Sequence, residues 1–449
     1  MNILLIYPTT LDERGTPRKF RKAYLPPLSL AILHALTPKQ HRVRILNDVV
    51  ETIDYEQPVD LVGITAMTCQ IGRAYQIADA FRARGVRVVI GGVHATFLPE
   101  EAGKHADSVV LGEAEELWET VLDDAEQNRL HPTYRADSLP DLNRPVIPDW
   151  SGFDFSHYMI NNTGLPMLPI YTTRGCPLGC DFCSVTEFFD KGFRTKPIEH
   201  VLDEINALPN ADTFFFVDDT IDIQPAYARE LFQAVASNSK KTIRWMSQCT
   251  TRIHRKRELL ERARKAGCYS LFIGVESLSQ EVLTASGKGF NSVDRYDDLF
   301  RALTENGILG IASMILGFDQ DEEESILETA RFFSKHPTVN PILWLLTPLP
   351  GTQLFEDMNK QGRLLHTDWS LYDLNHVVFS PKQLNPQRLN DLFWQVFSEL
   401  YAGDKIRARS TALTLSGYEH VPSNHFNQRY SATMINKRLH PYSSGLLPV

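Results

Sequence analysis

Short apolar runs alternate with helical patterns through most of this chain, and that alternation limits the folds open to it. Before residue 130 the runs fall at 2–7, 43–46, 61–65, 86–90 and 108–111. The first, NILLIY, is a continuous apolar run after its leading Asn, as expected of a strand buried on both faces. Helical periodicity separates the runs, for example at 28–36 and 74–84. Such alternation builds a parallel sheet with helices on both faces. From residue 168 it returns, with strands expected at 169–173, 213–217, 243–246, 270–275, 311–316 and 342–346 and helices at 198–207, 226–237, 257–266, 293–306 and 322–335. Six strand–helix units predict a partial barrel with its site at the C-terminal strand ends. Between the two regions, Pro132, Pro140, Pro145, Pro148 and Pro166 interrupt any regular element. That stretch reads as a connecting belt whose aromatics Trp150, Phe153, Phe155 and Tyr158 pack on one of the two domains. The expected class is α/β: a doubly wound Rossmann-like domain over 1–130, a Pro-rich linker over 131–168, a partial (β/α)6 barrel over 169–360 and a mainly helical region over 361–449. In the last region a helical pattern covers 386–401, and 407–449 suggests a packed helix and then a loose tail.

The loop expected after the first barrel strand reads RGCPLGCDFC. It holds Cys176, Cys180 and Cys183, three of the chain's six cysteines, spaced CxxxCxxC. Thiolates bind soft metals and iron–sulfur clusters. A cubane cluster usually takes four Cys ligands, and Cys69, Cys249 and Cys268 lie far away in sequence. One iron would then be open to a small molecule. Zinc and a disulfide are the alternatives. Zinc motifs pair two Cys with two further Cys or His at short spacing, and no second pair follows. Clustered Cys in a cytosolic chain point to metal rather than to a disulfide.

CxxxCxxC with an aromatic just before its third Cys resembles the radical S-adenosylmethionine (radical SAM) enzymes. The resemblance implies a 4Fe–4S cluster on Cys176, Cys180 and Cys183. Its open iron would chelate the amino and carboxylate groups of SAM, with Phe182 near the adenine. A six-unit partial barrel is that family's fold. The other strand ends then become candidates. The resemblance sets a backbone-rich motif at Asp218 and Asp219 against the methionyl amino group, although an Asp pair also caps turns. Ser247 and Gln248 suit ribose hydroxyls. Glu276 occupies a position that family members use to hold SAM. Gly317 closes what resembles the adenine-side strand and allows close approach; Phe318 beside it is more often core. Residues 348–352 (PLPGT) look like a turn of the cobalamin-dependent branch.

The segments GGVHAT, PEEA, ADSVV and GEAE between residues 91 and 116 resemble the cobalamin-binding domain that precedes many radical SAM barrels. Ligands of open α/β sheets sit at carboxyl strand ends, which makes Thr65, Cys69, Gly91, Gly92, His94 and Glu113 candidate corrinoid contacts. Other cobalamin domains carry Asp-x-His-x-x-Gly after the first strand, and the His ligates cobalt. Here the loop reads PTTLDERG, without His. His94 and Cys69 are candidates for the lower ligand. Against them stand a histidine bonded to the corrin tail or to backbone, and a small buried Cys.

The resemblance reaches the hopanoid methylase and anaerobic magnesium-protoporphyrin cyclase branch. It implies an enzyme that cleaves SAM to a 5′-deoxyadenosyl radical and methylates an unactivated carbon of a small molecule or lipid. The alternative keeps both cofactors for a non-methylating cyclisation or ring rearrangement, and a third reading is an iron–sulfur binding protein or sensor. The expected partners are a lipid or tetrapyrrole substrate and an external one-electron reductant of flavodoxin or ferredoxin type. A net charge of −9 gives no nucleic-acid footprint. No apolar run is long enough for a membrane span, and no signal peptide is read at Met1, so the expected location is the cytoplasm.

Overall fold

The computed structural model describes residues 1–144, 146–159, 163–238, 240–415 and 446–448; most of the expected tail, 416–445, lies outside them. The chain divides into two compact units. One is built from Met1–Pro169 with Asp368–Asp373, and the other from Ile170–Thr367 with the helices that follow Leu374.

Six strands form the sheet of the first unit, in the order Arg42–Asn47, Asn2–Tyr7, Leu61–Thr65, Arg87–Gly91, Ser108–Leu111, Thr133–Arg135. Every neighbouring pair is parallel. Both faces are covered, which is why the strands read as unbroken apolar runs. Leu4, Val62, Val88 and Ile90 pack under the helix Ile71–Arg82, and Leu5, Leu61 and Val89 pack with Trp118, Val121 and Leu122 of Trp118–Glu126 on the other face. Gly63 has no side chain because a Cβ there would stand 2.9 Å from Leu5 Cδ2 and 3.5 Å from the Trp118 ring. Thr133–Arg135 lies inside the stretch read as linker. Three residues behind a proline carry no periodicity to detect, yet they extend the sheet. Further along the belt, Phe153, Phe155 and Tyr158 pack on this same unit with Phe20, Ala23 and Val49, and Asn47 Nδ2 donates to the Tyr158 hydroxyl (3.1 Å).

The second sheet has six strands in chain order: Leu168–Ile170, which ends at the start of the second unit, then Thr213–Phe216, Arg244–Cys249, Cys268–Glu276, Leu309–Leu316 and Val339–Leu345, the last five paired in parallel. Helices Ile198–Ala207, Pro225–Asn238, Arg257–Lys265, Tyr296–Glu305 and Glu323–Ser334 connect them. Trp245 is fully buried, stacked on Phe216 (4.7 Å), and donates its Nε1–H to the Ala266 carbonyl (2.9 Å). The first strand stops earlier than expected. Asp218 takes the backbone N–H groups of Thr172 and Thr173 (2.6 Å each), and Thr173–Arg174 then turns to pair with Arg194–Thr195.

The helix Pro386–Leu400 begins with Asn385 accepting from Arg388 N (2.8 Å) and Pro386 in its first turn. It buries Leu389, Leu392, Phe393, Val396, Phe397 and Leu400, a stripe of helical period. Each such side chain contributes on the order of 2 kcal/mol. Gly403–Leu415 forms a further helix. Among the described residues no helix is long and apolar enough to cross a membrane.

Candidate functional site

The cysteine loop leaves the first barrel strand at the C-terminal end of the sheet and is held from the next strand. Gly175 has φ +88° and donates its N–H to Asp219 Oδ2 (3.0 Å). A Cβ at residue 175 would collide with the Gly192 carbonyl, so only glycine fits. Cys176 Sγ lies 3.8 Å from Thr220 Oγ1. Cys183 N bonds the Cys180 carbonyl (3.2 Å) and Cys183 opens the short helix Ser184–Phe188. Burial raises all three thiols, Cys180 to about 12. One opposing influence is shared: the ammonium of Lys288 lowers each of them. Lys288 is ion-paired with Glu276 and stands 5.8 Å over the Phe182 ring.

Glu276 combines two unusual features. Its φ is +68°, a left-handed conformation that is uncommon for a non-glycine residue. The strand register also shifts between Gly274 and Glu276, and irregularities of that kind re-aim side chains beside active sites. Its carboxylate is buried (5% exposed) and also meets Ser313 Oγ (3.2 Å). Asn291 ties the following turn to the strand through the Gly274 and Val275 carbonyls (2.9 and 3.2 Å). Lys288 and Asn291 escaped the sequence reading. They lie in a turn after a short helix, and only the glycines around Lys288 mark it.

Other expected contacts have different roles. Asp218 is fully buried. Besides the two backbone donors, the Thr172 hydroxyl bonds it at 2.6 Å, and burial pushes its carboxyl to about 6. Burial likewise raises Asp219 to about 6. Both side chains therefore hold the cysteine loop. Ser247, fully buried, donates to the Phe216 carbonyl (2.8 Å). Gln248 Nε2 donates to the Asp218 carbonyl (3.2 Å). Gly317 (φ +107°) lies under Leu389, whose Cδ2 would be 2.8 Å from a Cβ there, and its N–H meets Asp321. Helix packing accounts for this glycine without a ligand. Phe182 meets Phe318 edge-on at 6.0 Å, and Phe318 is core.

In the first unit, Thr65, Gly91, Gly92 and Glu113 cluster at the carboxyl strand ends. Gln70 joins two loops there, donating to the Pro8 carbonyl (2.7 Å) and accepting from Met67 N (3.0 Å). Gly92 has φ +99°, and a Cβ would meet Ala66 O at 2.7 Å and Ala66 N at 2.8 Å. Its need for glycine is internal. His94 is fully buried, with Nε2 3.3 Å from Glu101 Oε1 and its ring edge-on to Trp369. Its Nδ1 is buried with no hydrogen-bond partner among the described residues. Burial opposes ionisation of Glu101, but donors from His94, Tyr75 and Trp369 outweigh it and hold the carboxyl below its usual range. Burial, with Asp373 adding to it, pushes the Cys69 thiol to about 12, so Cys69 is neutral. Nearby Met67 is half exposed, and the space around the Gly112 Cα is open.

These residues can be tested against the implied groups. Among the described residues no three His, Cys, Asp or Glu side chains gather closely enough to chelate one metal ion. The thiols nonetheless feel one another and share Lys288. An all-sulfur set with a compensating cation fits a cluster, whose corners stand further apart than the ligands of a single ion. In the first unit, the half-exposed thioether of Met67 after one strand and the open space at Gly112 after another are features that a large flat macrocycle can use.

Two family models match: "Radical SAM superfamily" over residues 170–333 and "B12 binding domain" over 21–122. The chain is similar to bacteriochlorophyllide d C-12(1)-methyltransferase of Chlorobaculum tepidum, at 35% identity over 85% of this chain and 84% of the relative. It is also similar to the C-8(2)-methyltransferase of that organism, at 30% identity over 85% and 87%. In fold it is similar to the radical SAM methyltransferase TsrM of Kitasatospora setae, solved with cobalamin and a 4Fe–4S cluster (16% identity, TM-score 0.61, covering 80% and 78%).

Proposed function

The chain belongs to the radical SAM superfamily, in the branch with a B12-binding domain ahead of the barrel, and from that membership we propose that it methylates an unactivated carbon on a tetrapyrrole of the bacteriochlorophyllide kind. The observation behind this reading is the likeness, over 85% of the chain, to two methyltransferases named for bacteriochlorophyllide d. Cys176, Cys180 and Cys183 hold the cluster. Bound cluster, SAM and cobalamin supply a carbon radical and a transferable methyl group. The chain's own residues bind and orient. Asp219 and Thr220 fix the cysteine loop. Glu276 and Lys288, a buried pair of opposite charge beside the thiols, match the ammonium and carboxylate of a methionyl zwitterion. Phe182 offers a ring face for the adenine. In the first unit the loops at 65–70, 91–96 and 112–115 cradle the corrin, Met67 and Gly112 giving it an apolar, open seat. Free thiols and a cluster fit a reducing cytoplasmic compartment, and the electron comes from an external one-electron reductant.

The test is anaerobic incubation with bacteriochlorophyllide d, SAM, hydroxocobalamin and a reductant. A product heavier by one methylene, with deoxyadenosine and S-adenosylhomocysteine in equal amounts, is the expected result. Deoxyadenosine without S-adenosylhomocysteine rejects methyl transfer and turns the reading to oxidative cyclisation or ring rearrangement.

A further inference from the structure

Residues 368–373 form a strap that belongs to the first unit, although the chain before it, to Thr367, and after it, from Leu374, belongs to the second. Both roots of the strap are fixed. Leu365 N bonds the Val378 carbonyl (3.0 Å) and Ser380 N the Arg363 carbonyl (2.8 Å), with Leu364 opposite Phe379. Arg363 Nη1 meets Asp319 Oδ2 (3.1 Å), and Lys382 pairs with the same carboxylate (2.7 Å). At the far root Leu374 has φ +67°, and its carbonyl accepts from Leu345 N (2.8 Å). Left-handed backbone is unfavourable for leucine, so the surroundings hold the return of the chain under strain.

Aromatic rings anchor the strap. Asp368 opens the turn Trp369–Leu371 by accepting from Ser370 N (3.1 Å) and Ser370 Oγ (2.6 Å). Trp369 packs against the core that holds Ile71, Ala74, Ala95 and Ala102 and meets the ring of buried Tyr372 edge-on (4.8 Å). Its Nε1–H is donated to Glu101, 2.9 Å from Oε1 and 3.2 Å from Oε2. A packed indole with its N–H engaged is an anchor of the sort that dominates interfaces. Glu101 also gathers His94 Nε2 (3.3 Å) and the Tyr75 hydroxyl (2.9 Å). His94 lies in the short helix Val93–Phe97. In that helix Thr96 Oγ1 donates to the Gly92 carbonyl and accepts from Gly112 N (2.9 Å each). On the other side the turn Trp369–Leu371 lies beside Thr68–Gln70, and Asp373 acts on the Cys69 thiol. The strap thus bears on the loops 65–70 and 91–96 directly, and on 112–115 through Thr96.

We infer that Trp369 is a positioning residue of the corrinoid site. Docked on Glu101, it sets the three loops that cradle the corrin, so the site is incomplete without a segment that the chain supplies from beyond the last barrel strand. The inference rests on the corrinoid reading of the first unit. Trp369 acts through Glu101 and the loops, and its ring need not touch the macrocycle. Loops already set when a rigid ligand arrives carry no ordering cost at binding. When only a fraction of the molecules holds the competent arrangement, apparent affinity falls by that fraction.

The test uses the full chain and hydroxocobalamin as the probe, with binding followed by absorbance. W369A lowers affinity by at least about tenfold. W369F, which keeps a ring and loses the donor, lowers it by less. Without corrinoid, iodoacetamide labels Cys69 at least about tenfold faster in W369A than in wild type, because the strap no longer buries the thiol. Both variants keep the circular dichroism of the wild type and the iron content of the reconstituted cluster. In the E101A background W369F costs no further affinity, since the acceptor is already gone. This cycle of W369F and E101A stands without W369A, so a W369A protein that fails to fold does not spare the inference. Wild type that takes up no hydroxocobalamin rejects the corrinoid reading and this inference with it. Wild type that binds it, with folded W369A binding as tightly or more tightly, overturns the positioning role alone. So do additive losses in W369F/E101A, the mark of packing without coupling.

Discussion

Replacing Lys288 by Met tests whether the pair with Glu276 organises the barrel mouth. Both side chains are buried, 13% and 7% exposed. Without Lys288 the carboxylate keeps only Ser313 Oγ at 3.2 Å. Removing one member of a buried pair costs roughly 3–5 kcal/mol, and one hydrogen bond offsets about 1 kcal/mol of that. In a unit of this size each kcal/mol lowers Tm by about 2–4 °C. Cluster-free K288M should therefore melt roughly 5–15 °C below wild type. E276Q leaves Lys288 facing three thiols and should lose a comparable amount. The double variant K288M/E276Q should recover most of the loss, because no unpaired charge is left. Urea denaturation of the four proteins gives the coupling energy. SAM, which stabilises in proportion to the logarithm of its saturation, should raise Tm in wild type and in neither single variant. Single variants within about 0.5 kcal/mol of wild type, or an additive double variant, would refute the reasoning.

Asp321 is raised to about 6 by burial, against the Gly317 and Phe318 N–H groups that lower it. A raised carboxyl contributes stability that is full below its unfolded value near 4 and lost as pH rises to about 6, so wild type should lose about 3 kcal/mol over that window relative to D321N, read from denaturation at several pH values. G92A should unfold the first unit through the collision with Ala66, even without corrinoid; a stable, corrinoid-free G92A protein would instead make the glycine a ligand contact. Cob(II)alamin-loaded protein should show no nitrogen coupling from a protein histidine in its electron paramagnetic resonance spectrum, since His94 is fully buried with Nε2 against Glu101, and H94A should leave that spectrum unchanged; a coupling lost in H94A would make the unpartnered Nδ1 the ligand. Burial raises Cys249 and Cys268 well above the usual thiol range, so iodoacetamide should leave both unlabelled in the native protein and label them in urea.

Strands were legible wherever burial on both faces forced continuous apolar runs, as at NILLIY and at Ser108–Leu111. Thr133–Arg135 was not, because an edge strand of three residues has too few positions for any pattern. The first barrel strand was read too long, since Thr172 and Thr173 look like strand residues until Asp218 takes their N–H groups. Among site residues the cysteines were legible because their spacing has few other uses. Lys288 was not, because only tertiary structure brings it from a turn more than a hundred residues away to the cysteine loop.

The polar side chains expected at the barrel strand ends share one physical constraint. A polar side chain at a strand end has two potential partners, a ligand and the next loop. Asp218, Asp219 and Ser247 already satisfy backbone donors and acceptors, and a buried polar group that releases such partners leaves them unsatisfied. These side chains cannot turn to a cofactor without loosening the cysteine loop or the sheet. Glu276 is held differently. Its backbone sits at φ +68° after a register shift, a conformation that costs about 1 kcal/mol or more. A strained carboxylate paired with a buried ammonium that acts on all three thiols is where the chain gives up local stability to hold charge.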